Sequence, residues 1–228
     1  MLDLLFPPIC GGCSKPGSRW CMDCQKRVNI LDGILCEICG LPQDKPGVCG
    51  TCLAERPRFR ALRAWAVFSG PIQPALHRLK YRRDVSMGDA FASQMMPFVR
   101  SLNWKIDVVI PVPLGRQRLK ERGYNQVGMI AKPLALALGM RYAPDGLMRR
   151  KETRSQVGLT KVERKANVQN AFQAGVGMNG KSILIMDDVS TTGSTLSAGA
   201  EALYSAGATD VYALTVARAL PQHGLEHA

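Results

Sequence analysis

The sequence predicts an α/β domain built on a parallel sheet flanked by helices, preceded by a small module held together by metal rather than by a core. Three observations carry this. From about residue 64 onward, apolar and β-branched runs of strand length alternate with segments of helical spacing, the pattern of strand–helix–strand units. All eight cysteines fall between Cys10 and Cys52, as four Cys-x-x-Cys pairs. The residues around them are rich in Gly and Pro and leave little for an apolar core. The expected division is 1–58 for the module and 59–228 for the main domain, and a chain of 228 residues has room for both.

The elements follow in order. Residues 107–113 are apolar and closed by prolines, a buried strand running into a loop. Residues 126–138 carry apolar side chains at helical spacing and stop at Gly139, as a helix C-terminus does. Residues 181–186 read as a second buried strand, 195–206 as a helix ended by Gly207, and 210–217 as a third strand. Repeated strand, helix, strand implies parallel pairing with right-handed crossovers. Residues 56–63, with four arginines, read as a basic linker.

Each Cys-x-x-Cys pair sets two thiols on one tight turn, where both reach one metal ion. Four disulfides would use the same residues. The N-terminus argues against them: it has the apolar run Leu4, Leu5, Phe6 but no basic leader and no cleavage site, so no signal peptide is expected. Two zinc ions are the expected occupants, one held by Cys10, Cys13, Cys21 and Cys24, the other by Cys36, Cys39, Cys49 and Cys52. The pairs can also interleave, first with third and second with fourth, and spacing leaves that open. An iron–sulfur cluster suits the regular spacing less well. A closed site of four cysteines is structural, with no position left for catalysis. No stretch approaches the ~20 apolar residues of a membrane helix, so no membrane insertion and a cytoplasmic location are expected.

Charge is unevenly placed. The formal net charge is +12, and residues 59–228 carry +11 of it. Residues 116–165 alone hold 13 basic and four acidic side chains. Such a surface suits polyanionic partners, phosphorylated metabolites or nucleic acid.

The densest chemistry lies in residues 183–195. A strand delivers Asp187 and Asp188, and Thr191, Thr192, Gly193, Ser194 and Thr195 then open a helix. Backbone N–H groups and a helix N-terminus there suit a phosphate monoester, and Gly193 lets the backbone approach it. Two carboxylates beside a phosphate cradle would repel phosphate alone. They make sense if the ligand also presents hydroxyls, as a ribose does. A second loop, Pro113, Leu114, Gly115 and Arg116, follows the earlier strand, with Arg118, Lys120 and Arg122 just beyond. Arginine contacts phosphate oxygens in pairs. A third segment, 148–167, includes Lys151 and Arg154 and is too polar for burial.

These pieces resemble the type I phosphoribosyltransferases, and the whole chain resembles the ComF family of competence-associated proteins. The resemblance rests on the four Cys pairs, Leu79-Lys80-Tyr81, Pro111 to Pro113, Arg122-Gly-Tyr-Asn-Gln126, Thr153-Arg-Ser-Gln156 and the Asp-Asp motif, and it covers residues 8–218. It implies a type I phosphoribosyltransferase-like sheet with an N-terminal double zinc ribbon. It also implies that Asp187 and Asp188 take the ribose hydroxyls of 5-phosphoribosyl-1-pyrophosphate, that 191–195 cradles its 5′-phosphate, and that 113–116 with Arg122 meets the pyrophosphate. Lys151 and Arg154 would lie on a hood over the ligand, and Mg²⁺ would accompany it. The family context implies single-stranded DNA and a competence helicase as partners. The module of glutamine amidophosphoribosyltransferases is similar, but no cysteine outside the Cys pairs remains to serve as a glutaminase nucleophile.

Two functional expectations follow. One is transfer of the phosphoribosyl group to an acceptor that the sequence does not identify. The other is a non-catalytic sensor of the ligand that engages DNA or a helicase. Asp84, Asp89, Asp107 and His77 all fall on predicted structural elements, so none stands out as a general base. Trp20, Phe59, Tyr81 and Tyr142 are the aromatic side chains expected at the surface, where bases could stack.

Overall fold

The computed structural model describes residues 7–150 and 171–220. Its strands are β1 (Leu62–Val67), β2 (Val108–Pro111), β3 (Arg141–Tyr142), β4 (Leu147–Arg149), β5 (Phe172–Ala174), β6 (Ser182–Ser190) and β7 (Asp210–Arg218). Five of them form one sheet in the order β1-β7-β6-β2-β3, every pairing parallel. The remaining two, β4 and β5, make a separate antiparallel pair. The three strands and two helices expected from the sequence are all present, β6 being longer than expected. It continues past Met186 because Asp187, Val189 and Ser190 stay in register with Thr215, Ala217 and Arg218 of β7.

Helices α3 (Ile72–Tyr81), α4 (Met87–Ser101) and α6 (Gln126–Ala137) cover one face of the sheet, packing on Leu184, Met186, Leu214 and Val216. Helix α7 (Ser194–Ser205) covers the other face with Leu147 and Phe172, packing on Ile183, Ile185, Val211 and Ala213. Adjacent residues of a strand point to opposite sides, and both sides here are buried, as a parallel sheet requires. From β2 the chain passes through α5 (Arg116–Arg122) to α6 on the first face, whereas β6 leads to α7 on the second. The two loops therefore diverge beyond the carboxyl ends of neighbouring strands, and a crevice opens between them.

The cysteine module carries α1 (Met22–Lys26) and α2 (Gly50–Ala54). It is not a separate body. Cys36, Ile38, Cys39 and Cys52 share a buried cluster with Phe59, Leu62, Ile185 and Leu196. Residues 29–31 run antiparallel beside β1, with Leu31 N–H donating to Trp65 O at 3.3 Å and Val67 N–H to Asn29 O at 2.8 Å.

This changes the reading of residues 56–63 as a linker. Phe59 and Leu62 are 2% and 0% exposed, Arg60 N–H donates to Val211 O at 2.7 Å, and the Arg60 guanidinium meets Asp210 at 2.8 Å. Arg56, Arg58 and Arg60 are exposed while Phe59, Ala61 and Leu62 enter the core, and half-buried Arg63 donates to Glu37 O at 3.2 Å. Phe59, expected at the surface, is thus buried.

One approach of α4 to α6 is especially close. Pro133, inside α6, has no N–H to offer the Met129 carbonyl one turn back. Gly88 of α4 packs on that carbonyl, and a Cβ there would sit 2.3 Å from Met129 O. Backbone cannot give way as a side-chain tip can, so Gly88→Ala should lower stability by about 1–3 kcal/mol. Urea unfolding at neutral pH checks this, with Gly50→Ala, whose Cβ would meet nothing within 4 Å, as the mild control.

Candidate ligand cleft and metal centres

The diverging loops enclose a cleft of about 570 Å³ lined by 112–114, 187–196, Lys80, Tyr81, Arg83, Arg118, Glu121, Arg122, Gln126 and Arg149. Its floor is the end of β6. Because neighbouring residues face opposite sides, Asp188 turns toward α3 and α6, and Asp187 toward the α7 side.

Asp188 is buried and fully engaged. Its Oδ2 accepts from Gln126 Nε2 at 2.8 Å and lies 3.2 Å from Lys80 Nζ, while Oδ1 accepts from Val189 N–H at 2.7 Å. Asp187 is half-buried. Its Oδ1 accepts from Asp188 N–H at 2.8 Å, and Oδ2 has no hydrogen bond among the described residues. Burial, then the charge of Asp188, pushes the Asp187 carboxyl up to about 7, against the pull of Lys80 and Arg149. The two carboxylates thus differ: one is tied down by Lys80, Gln126 and Val189, the other has an oxygen to spare.

The residues that tie Asp188 come from the two motifs. Arg122 donates to the Gln126 side-chain oxygen, and Tyr124 OH donates to Leu79 O. Asn125 caps α6 by accepting from Val127 N–H at 3.0 Å, and its Nδ2 donates to Val112 O at 2.9 Å. Each residue of 122–126 other than Gly123 therefore holds a neighbour of the cleft in place. Gly123 itself takes φ +83° to end α5, the conformation that favours glycine. At the mouth, Tyr81 is 67% exposed with the Arg122 guanidinium 5.4 Å over its ring.

The 191–195 loop gathers hydroxyl and N–H groups at the start of α7. Gly193 adopts φ +81° at the N-cap of α7. Thr192 Oγ1 and Ser194 Oγ lie 2.7 Å apart, and Ser194 N–H donates to Thr192 Oγ1 at 3.3 Å. Hydroxyls and N–H groups at a helix N-terminus favour negative charge.

The cysteines form two clusters, Cys10/Cys13/Cys21/Cys24 and Cys36/Cys39/Cys49/Cys52, with all sulfurs of each within 4.8 Å of one another. Pairing is sequential, which settles the alternative left open by spacing. Sulfur–sulfur distances of 3.6 Å for Cys10–Cys24 and Cys13–Cys21, and 3.7 Å for Cys39–Cys49, are those of a tetrahedron with metal–sulfur bonds of about 2.3 Å. All eight cysteines are free of disulfides. Burial raises the Cys10 and Cys36 thiols, but N–H donors outweigh it and bring each down to about 6. Burial and the neighbouring sulfurs push Cys24 up to about 12, and Cys52 up as well. Four thiolates together therefore need a dication between them, and each cluster fits one structural zinc ion.

A DNA utilization protein of Escherichia coli, YhgH, is 32% identical to this chain over 227 residues, covering 95% of this chain and all of that protein. The chain belongs to the ComF family. Competence protein ComFC of Bacillus subtilis is similar at 29% identity, covering 90% of this chain and 86% of that one. A family model described as a double zinc ribbon domain matches residues 1–53. Among solved structures, glutamine phosphoribosylpyrophosphate amidotransferase from B. subtilis aligns at 22% identity with a TM-score of 0.40, over 57% of this chain and 26% of that one.

For this ComF chain, most residues singled out in the sequence meet at one place. Asp187, Asp188, Thr191, Thr192, Gly193, Ser194, Thr195, Pro113, Leu114 and Arg122 all line the cleft. Gly115 and Arg116 do not; Gly115 is buried and caps α5, which Arg116 begins. Lys151 and Arg154 lie outside the described residues. Lys80 and Gln126 were visible only as motif members, and nothing local in sequence ties them to Asp188. Glu121 was missed because a glutamate on a charged helix carries no signal of its own. Of the aromatic side chains expected at the surface, Tyr81 is there. No helix among the described residues is long and apolar enough to cross a membrane.

The Asp187 environment gives a pH dependence. A carboxyl raised from 3.8 to about 7 holds its proton more tightly folded than unfolded, so stability falls as pH climbs through that window. Asp187→Asn removes the cost. Relative to its difference from wild type near pH 4, the ligand-free variant should gain about 1–2 kcal/mol by pH 8, a value reduced for partial solvent screening. Denaturant unfolding across that range measures it; an unchanging difference at all pH values would contradict the assignment.

Proposed function

We propose that the cleft binds 5-phosphoribosyl-1-pyrophosphate with Mg²⁺ and transfers its phosphoribosyl group to an acceptor, in the context of DNA uptake. The observation that carries this is the joining, at the end of one strand, of a carboxylate with a spare oxygen to a hydroxyl- and N–H-rich loop, in a cleft also lined by Lys80, Arg83, Arg118, Arg122 and Arg149. A ligand with phosphate at one end, vicinal hydroxyls in the middle and a second polyanionic group at the other matches that order. Loop 191–195 takes the 5′-phosphate. Asp187 Oδ2 accepts a ribose hydroxyl, and Asp188, held by Lys80 and Gln126, completes the acceptor pair. Arg118 and Arg122 face the pyrophosphate, and Lys80 and Arg83 also line the cleft.

In the transfer, an acceptor nucleophile attacks the anomeric carbon as its bond to pyrophosphate breaks. Positive charge develops on the sugar and negative charge on the leaving group. Fixed arginines stabilise the latter without reorganising, and Mg²⁺ bound with the ligand would neutralise it further. Glu121, Asp187 and Asp188 are the acidic residues of the lining; His77 is exposed on α3 and not among it.

The names of its relatives, a DNA utilization protein and a competence protein, support the DNA-uptake setting. The positive charge of residues 59–228 offers single-stranded DNA, or a competence helicase carrying it, a surface to meet. Thiolate-held metal centres suit a reducing compartment, the cytoplasm. A second reading, ligand sensing without chemistry, draws on the fact that Asp187 and Asp188, the acidic groups at the cleft floor, are either engaged or placed to hold the sugar.

Two measurements decide. Calorimetry with ligand and Mg²⁺ should show binding by wild type and at least about a hundredfold weaker binding by Asp187→Asn/Asp188→Asn, about 3 kcal/mol; undiminished binding sinks the site. Pyrophosphate release, screened over bases, amines and oligonucleotides, should find an acceptor. Silence across the panel with binding intact favours the sensor.

A further inference from the structure

Arg218 ends β7 and is 1% exposed, among the largest side chains enclosed by the fold. A guanidinium stays charged in proteins, and enclosing it without an opposite charge is strongly unfavourable. Its hydrogen bonds go to neutral groups: Nη1 donates to Cys39 O at 3.2 Å and to Ser190 Oγ at 3.3 Å. Among the described residues no carboxylate forms an ion pair with it. The bond to Cys39 O sets the guanidinium directly against the second four-cysteine centre. Four thiolates around one zinc leave a net negative charge, so the loaded second centre is the counter-charge that Arg218 otherwise lacks.

The same side chain touches the cleft. Ser190 is the last residue of β6 and directly precedes Thr191; it is buried, and its carbonyl accepts from Ala219 N–H at 3.0 Å. Two more contacts run in parallel. Leu62 and Phe59 pack under Gly193, at 3.4 and 3.5 Å from where its Cβ would be, and Leu62 N–H donates to Ile38 O in the second ribbon at 2.7 Å. Arg58 N–H donates to Ser197 Oγ, in the first turn of α7, at 3.0 Å. The first ribbon goes elsewhere: Gly11 packs on Met87 and Ala75, Gly12 on Pro71, and Arg19 donates to Ser86. It has its own arginine, Arg27, which donates to Cys24 Sγ at 3.4 Å from an exposed position.

We propose that the second four-cysteine centre and Arg218 act together as a positioning unit for the 191–195 anion loop, a role the first centre does not share. Zinc holds the ribbon and keeps its four cysteines as thiolates, whose net negative charge keeps Arg218 buried; Arg218 in turn holds Ser190, and with it the start of the loop. This rests on the reading of that loop as a phosphate site.

The test uses the full chain loaded with two zinc ions. Zinc release to a chromophoric chelator and calorimetric binding of 5-phosphoribosyl-1-pyrophosphate with Mg²⁺ are measured for wild type, Arg218→Met, Arg218→Lys and Arg27→Met. Arg218→Met should release one of its two zinc ions roughly tenfold more readily and bind the ligand roughly tenfold more weakly, the scale seen when groups supporting a metal site are removed. Arg218→Lys keeps the charge and should recover most of the zinc retention. Arg27→Met should leave ligand affinity at the wild-type value. If Arg218→Met does not fold, Arg218→Gln replaces it, keeping a donor for Cys39 and Ser190 while dropping the charge. Wild-type zinc release and affinity in the Met or Gln variant overturn the proposal, as does equal loss of affinity in Arg27→Met. Wild type that takes no ligand overturns the reading of the cleft, and the coupling with it. The zinc-release arm still reports separately whether Arg218 is the counter-charge.

Discussion

Side chains that follow one another on a strand leave it in opposite directions, and the cleft is arranged around that constraint. Asp187 and Asp188 sit at the floor of one site but look into different layers of the fold. The layer of α3 and α6 meets Asp188 with Lys80 and Gln126. The layer of α7 leaves Asp187 with an oxygen that has no hydrogen bond among the described residues, at the edge of the 191–195 loop. Both layers must be docked on the sheet for the pair to differ as it does. Motifs far apart in sequence, 79–81, 122–126 and 187–195, therefore converge on it.

The metal module is joined to this arrangement at two places with different consequences. The first ribbon leans on α3 and α4 near Met87, Ala75 and Pro71. The second ribbon enters the core beneath the 191–195 loop, through Ile38, Phe59 and Leu62. Both use backbone N–H groups to stabilise thiolates, with Cys21 N–H directed at Cys10 Sγ and Cys49 N–H at Cys36 Sγ. They differ in the arginines beside them: exposed Arg27 at the first, half-buried Arg63 and buried Arg218 at the second.

Much of this was legible because the signals are local. The Cys-x-x-Cys pairs name their own ligands, and the Asp-Asp-to-Gly193 run encodes strand, loop and helix start within a dozen residues. Apolar strand runs such as Val108 to Ile110 need no partner to be read. What escaped was of two kinds. Residues 56–63 look polar because arginine outnumbers everything there, yet a chain lying along a core needs only some of its residues to be apolar, and Phe59 and Leu62 suffice. The partners of Asp188 and Arg218 lie 62 residues away at Gln126 and 179 residues away at Cys39, distances over which periodicity carries no information.

The antiparallel run of residues 29–31 beside β1 has a meaning for the sheet as a whole. A sheet with an unpaired side offers a row of N–H and C=O groups on which another chain can add. At one side here the last strand, β3, is two residues long, too short to serve as a template. At the other, β1 is covered from within by residues 29–31, the stretch that joins the two ribbons. Metal binding and the refusal of intermolecular β-pairing thus fall to the same stretch of chain.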